Sequence, residues 1–119
     1  MAGYIRGGFP RIKLTRIGQD QDLAIEFIID TAFDGELAMP PPLIARALAH
    51  KKSIQVVRFA DGTRRTCAFY ELDVEWEGEL RTVEVVELEG DPLVGIHMLD
   101  EHSMQMDITE GGEVVIDPF

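Results

Sequence analysis

The residues best placed to do chemistry lie in Phe27-Ile28-Ile29-Asp30-Thr31-Ala32-Phe33-Asp34-Gly35-Glu36-Leu37-Ala38-Met39-Pro40. Asp30 follows three large apolar residues directly, so its carboxylate leaves a buried run where desolvation is costly unless a partner compensates. Such a group can take or give a proton, and an ordinary surface strand end does not need that neighbourhood. The same residues admit a plainer role, in which Asp30 or Thr31 hydrogen-bonds the local backbone and turns the chain. A second segment, Pro92-Leu93-Val94-Gly95-Ile96-His97-Met98-Leu99, places apolar residues around a glycine about 60 positions downstream.

Other candidates are weaker. His97 and His102, with Asp100 and Glu101, contain metal-ligating types, but a five-residue separation does not set two histidines squarely on one helix face. No metal site is expected. Cys67 has no histidine near it in sequence and reads as a small buried or half-buried residue on the side of Phe69, not a nucleophile. A single cysteine also excludes an internal disulfide. Met98, Met104 and Met106 read as packing residues of a core or of a contact between chains.

These residues must be held by elements that alternate with a period of two. In Tyr70-Glu71-Leu72-Asp73-Val74-Glu75-Trp76-Glu77 four apolar side chains share one face and four carboxylates the other, the pattern of a half-buried antiparallel strand with a solvated acidic face. Comparable runs occupy Arg11 to Ile17, Leu23 to Ile29, Ile54 to Ala60, Leu80 to Leu88, Met104 to Thr109 and Val114 to Ile116. Turn signals separate them at Gly18-Gln19-Asp20, Asp61-Gly62, Glu77-Gly78, Gly90-Asp91-Pro92 and Gly111-Gly112. Many short strands at this spacing predict a small all-β sandwich or barrel. Pro40-Pro41-Pro42 followed by Leu43, Ile44, Ala47 and Leu48 predicts one helix, with His50, Lys51 and Lys52 near the negative end of its dipole. A second short helix is expected around His97 to His102.

With 119 residues the chain is expected to be one domain, residues 1–119, so a site that needs two halves needs two chains. Apolar residues make up 45% and charged residues 28%, a globular composition. No apolar run approaches a membrane span of about 20 residues, and no secretory signal is visible at the start, so a cytoplasmic location is expected. The net charge of −11 repels phosphate backbones and anionic lipid, which argues against nucleic-acid or membrane partners. The charge is uneven: Arg6, Arg11, Lys13 and Arg16 precede the first acid, and the bland reading is a solvated basic strand.

Taken in order, the apolar-apolar-Asp30-Thr31-Ala32 turn with Gly35, the helix entry after Leu37, the Asp61-Gly62 hairpin and the late Leu93-Val94-Gly95 resemble the retropepsin-like aspartic proteases, particularly their short bacterial members. The resemblance runs from Leu23 to Asp117. It implies an all-β fold of the acid-protease type, a closed barrel or sandwich with one or two short helices, assembled as a homodimer in which each subunit supplies one catalytic turn. By this resemblance Asp30 is the catalytic aspartate, and Thr31 interlocks the turns across the two-fold axis with Ala32 as the third turn residue. Phe33, Asp34, Gly35 and Val94 would meet a peptide or protein substrate, and Phe59, Ala60, Asp61 and Gly62 would form a flap over it. No cofactor is implied.

Three departures bear on this expectation. Ala32 stands where the family usually has glycine, adding a methyl and disfavouring a positive φ. His97 stands where an aspartate or asparagine is common, and reads as a structural substitute. Ile96 replaces the arginine that retroviral relatives pair with the acid at the position of Asp34, leaving Asp34 without its expected partner. These departures motivate an alternative, a retropepsin-like dimerisation or peptide-binding module that is catalytically weak or inactive. The apolar cleft walls are expected at Ile29, Phe33, Phe59 and Val94, and the ends of the chain, Val114 to Phe119 included, are expected to contribute to a dimer sheet.

Overall fold

The computed structural model describes residues 1–18 and 21–119. The turn expected at Gly18-Gln19-Asp20 therefore falls partly outside the described residues. Among those described, the chain runs through β1 (Ala2–Arg6), β2 (Phe9–Arg16), β3 (Leu23–Ile29), β4 (Leu37–Met39), α1 (Pro41–Ala47), β5 (His50–Arg58), β6 (Arg64–Trp76), β7 (Glu79–Glu87), β8 (Leu93–Val94), β9 (His102–Met106) and β10 (Glu113–Pro118). This is the mostly-β class that the alternation predicts.

The strands form one sheet in the order β5-β6-β7-β4-β8-β3-β2-β1-β10-β9. It curls until β6 meets β2 at Arg16 and Val74, where the Ile17 amide donates to the Asp73 carbonyl at 2.9 Å. Alternation then sends Phe27, Leu14, Leu37, Val85, Val94 and Ile116 into one main core, all with at most 2% exposure. Each such side chain contributes roughly 1.5–3 kcal/mol by leaving water. Glu71, Asp73 and Glu75 fall on the opposite face of β6, as the sequence pattern predicts. No helix among the described residues is long and apolar enough to cross a membrane.

Helix α1 starts after Pro40, takes proline in its first turn and buries Ile44 and Ala47. It is shorter than expected. Leu48 takes the left-handed conformation that ends the helix and is 57% exposed, while His50, Lys51 and Lys52 begin β5 instead of flanking the helix terminus. The second helix expected near His97 does not form. Residues 96–101 are consecutive tight turns, with amides of Met98, Leu99 and His102 donating to the carbonyls three residues back, which drops Met98 into the core. At the other end, Gly7 and Gly8 supply the positive φ of a β1–β2 hairpin that starts β2 earlier than expected.

The chain ends are placed differently from the expectation. β10 lies inside the subunit's own sheet, antiparallel to β1 on one side and to β9 on the other, with Val114 and Ile116 fully buried. Both of its hydrogen-bonding edges are used within the subunit, so the last strand is not free to build a sheet with another chain.

Candidate active site

The site is built where β8 slides between β3 and β4. β8 runs parallel to β3, with Leu93 beside Ile28 and Val94 beside Ile29, and antiparallel to β4, with Leu37 beside Val94. The ladder continues one residue past β3: the Asp30 amide donates to the Val94 carbonyl at 2.9 Å. The chain then turns, with Phe33 N–H donating to the Asp30 carbonyl at 3.1 Å and Ala32 N–H donating to Asp30 Oδ1 at 3.0 Å. The half-buried Asp30 carboxylate is thus fixed by its own turn.

The late glycine segment grips this turn from beneath. Amides of Gly95, Ile96 and His97 donate to the carbonyls of Glu36, Phe33 and Gly35 at 2.8, 3.0 and 3.1 Å. A β-carbon at Gly95 would lie 2.2 Å from the Gly35 carbonyl oxygen and 2.6 Å from the Phe33 ring, so only glycine permits the approach. The two motifs singled out in the sequence are therefore joined by these three backbone hydrogen bonds in addition to the β3–β8 and β4–β8 ladders. Glu36, which the sequence pattern does not single out, anchors the far end of the turn: its carboxylate accepts from Arg81 and from the Glu84 amide, both at 2.8 Å.

The departures resolve geometrically. Ala32 is not among the non-glycine residues with positive φ, so its methyl brings no backbone strain. Asp34 has a partner after all, because His97 Nε2 lies 2.8 Å from Asp34 Oδ1. The turn after Gly95, not a helix, aims the imidazole there. His102 points elsewhere: its Nε2 faces the Trp76 indole N–H at 3.3 Å and its Nδ1 the Asp100 carbonyl at 2.7 Å. Thr31 and Ala32 are exposed.

The sheet has a second face opposite the main core. Ala38 alternates with Leu37 and Met39, Leu93 with Val94, and Asp30 and Ile28 with Ile29 and Phe27, so Asp30 shares this face with Ala38 and Leu93. There Ala38, Cys67 and Val86 form a smaller apolar cluster, packed against Phe33, Val57, Phe59, Phe69 and Leu93 among others. Two expected wall residues are corrected by the same alternation. Ile29 and Val94 are 5% and 0% exposed and belong to the main core, so neither side chain reaches the surface, whereas Leu93, the strand partner of Ile28, packs against the second cluster.

The β5–β6 hairpin brings Val57, Phe59, Cys67 and Phe69 to this cluster. Its tip is Phe59 to Thr63, where Phe59 N–H donates to the Thr63 carbonyl at 2.8 Å and Gly62 takes φ +86°. Asp61 Oδ1 accepts from the Thr63 hydroxyl at 2.6 Å and the Thr63 amide at 2.9 Å, and these bonds hold its carboxyl below the usual range. The Arg65 guanidinium stacks over Phe59 at 4.5 Å. The expected substrate residues Phe33, Asp34 and Gly35 lie at the turn, and Phe59, Ala60, Asp61 and Gly62 at the hairpin tip. The contact of Phe33 and Phe59 with one apolar cluster links the two groups.

No protein-family model and no curated protein matches the chain. Among solved structures it is similar to a retropepsin-like aspartic protease from Rickettsia conorii, with 15% sequence identity, a TM-score of 0.57, and coverage of 98% of this chain and 93% of that one. The retropepsin-like fold thus extends over nearly the whole chain.

Proposed function

We propose that the chain is an aspartic endopeptidase, active as a symmetric homodimer in which Asp30 of each subunit forms a catalytic pair. The observation that carries this reading is the position of Asp30 in the retropepsin-like fold: at the β3–β8 crossing, on the sheet face that also bears the apolar cluster. One chain supplies one such carboxylate, and a two-fold axis beside the turn supplies the second.

Two carboxylates about 3 Å apart cannot both ionise cheaply, so such a pair shares one proton. The ionised partner takes a proton from water as general base while the protonated one hydrogen-bonds the peptide carbonyl. As the water oxygen bonds to the carbonyl carbon, the protonated partner passes its proton to the carbonyl oxygen, giving a tetrahedral diol with no covalent enzyme intermediate and leaving the pair with the proton taken from water. The pair's proton then passes to the leaving nitrogen while a diol hydroxyl gives its proton back to the pair, so the C–N bond breaks to amine and carboxylic acid and the pair again holds one proton.

Exposed Thr31 interlocks with its counterpart, Ala32 leaves room for substrate backbone, and Asp34 and Gly35 flank the bound peptide. The β5–β6 hairpin acts as the flap. An extended peptide with apolar side chains beside the cleaved bond fits the surface offered by Phe33, Leu93 and Phe59. Asp30→Asn is expected to leave circular dichroism and sedimentation unchanged while peptide hydrolysis disappears; hydrolysis retained by this variant would reject the assignment.

A further inference from the structure

Charge is spread unevenly over the sheet. Residues 50–66, from β5 through the hairpin tip into β6, hold Lys51, Lys52, Arg58, Arg64 and Arg65 against one acid, Asp61, a net of +4 in a chain whose total is −11. The remainder therefore carries −15. Elsewhere several cations meet acids: Arg6 and Arg11 reach Glu26, Arg81 reaches Glu36, and Lys52, at the base of the hairpin, reaches Glu71. Arg58, Arg64 and Arg65 are exposed and make no ion pair among the described residues. Arg58 and Arg64 stand directly opposite each other across the ladder and on one face, a like-charge pairing that costs stability and that an anion relieves.

Arg65 stands opposite Val57 and shares its face with Cys67, so it lies on the side of the hairpin that bears the second apolar cluster. Its guanidinium lies over the Phe59 ring at 4.5 Å, and Phe59 packs against the same cluster as Phe33 of the Asp30 turn. Stacking holds the planar fork in place without using its N–H groups, an arrangement suited to a carboxylate. The nearby acids do not occupy it. Asp61 accepts from the hydroxyl and amide of Thr63, and Glu87 and Glu89 line a cavity beside Arg65 without pairing to it.

We propose that this hairpin selects peptides that carry carboxylates flanking the apolar residues at the cleaved bond, with Arg65 as the contact on the cluster side and Arg58 and Arg64 adding to the field that draws such peptides in. This rests on the protease reading above and adds a substrate class to it: extended chains, apolar at the centre and acidic in the flanks. The net charge of the whole chain repels acidic peptides, so a preference for them has to arise locally, at the hairpin tip.

Two labelled peptides, alike in an apolar central pair and differing only in flanks of glutamate or of glutamine, provide the test. At low ionic strength the parent is expected to cleave the glutamate peptide with kcat/KM about fivefold higher, mostly through KM, and the ratio should shrink as salt is raised. In Arg65→Gln the ratio should fall to about one, whereas Arg46→Gln, which removes the same charge from the last turn of α1, should keep it. Equal cleavage of both peptides by the parent, a ratio kept in Arg65→Gln, or an equal loss in Arg46→Gln would overturn the proposal. Binding of the same peptides to Asp30→Asn, with and without Arg65→Gln, is followed by fluorescence anisotropy and does not depend on hydrolysis. A glutamate preference that Arg65→Gln removes, in a chain that cleaves neither peptide, supports the selection and counts against the protease reading; hydrolysis with no preference does the reverse.

Discussion

At Asp34 the carboxylate meets the His97 imidazole. An arginine is missing after the late glycine, yet His97, one residue further on, reaches the same carboxylate at 2.8 Å. Both side chains are well exposed, at 61% and 87%, so their contact contributes at most about 1 kcal/mol to stability. Its consequence is positional. His97→Ala is expected to leave thermal unfolding within about 1 kcal/mol of the parent while kcat/KM falls about fivefold, mostly through KM; a large drop in melting temperature without a change in KM would make His97 purely structural. The meeting of the Asp30 turn with the Gly95 segment was expected from the resemblance to the retropepsin-like family, while residue type and neighbourhood alone left Asp30 open as a turn residue. The His97–Asp34 contact was not, because it depends on residues 96–101 forming tight turns in place of a helix. Glu36 was silent as well, since a glutamate before a buried strand gives no sign that Arg81 and the Glu84 amide meet it.

Among the elements, β1, β2 and β3 are tied across their outer face by Glu26, which accepts from the Tyr4 hydroxyl, from Arg6 and from Arg11. The Tyr4 hydroxyl first, and then Arg6 and Arg11, hold the Glu26 carboxyl below the usual glutamate range. A carboxylate with a depressed folded-state value adds stability that is complete above the unfolded value and lost as pH falls through the folded one. Melting temperature followed from neutral pH into acid is therefore expected to fall less steeply for Glu26→Gln than for the parent, and parallel curves would contradict this. The basic residues that looked like a solvated strand thus include two that pair with this acid.

The elements were readable wherever alternation was clean, as in β6, and failed where a turn or cap took over. Leu48 fits the apolar face of a helix by spacing but ends it in the left-handed region. Val94 and Leu93 differ only by one step of alternation, and the apolar pair alone does not say which faces the core. The placement of β10 carries its own test. Deleting residues 114–119 removes the fully buried Val114 and Ile116, about 3–6 kcal/mol of burial between them, as well as ladders to two strands. Loss of the folded far-ultraviolet spectrum is expected, and a folded monomer would contradict the interior placement.

For the whole molecule, the retropepsin-like fold covers nearly the entire chain, yet each chain holds only one Asp30 turn. The proposed activity is therefore a property of the pair, and it should depend on protein concentration wherever the dimer dissociates. The single Asp-Thr-Ala turn was legible as a motif count, whereas the strand order of the sheet depends on pairings between distant segments that alternation does not reveal.

Mixing the parent chain with Asp30→Asn after subunit exchange tests the shared site most directly. Mixed dimers would hold one carboxylate in place of two, so hydrolysis by a fixed amount of parent chain should fall toward zero as the variant is added in excess. If exchange is verified by mass and the rate stays unchanged, each chain acts alone and the paired-aspartate account is wrong.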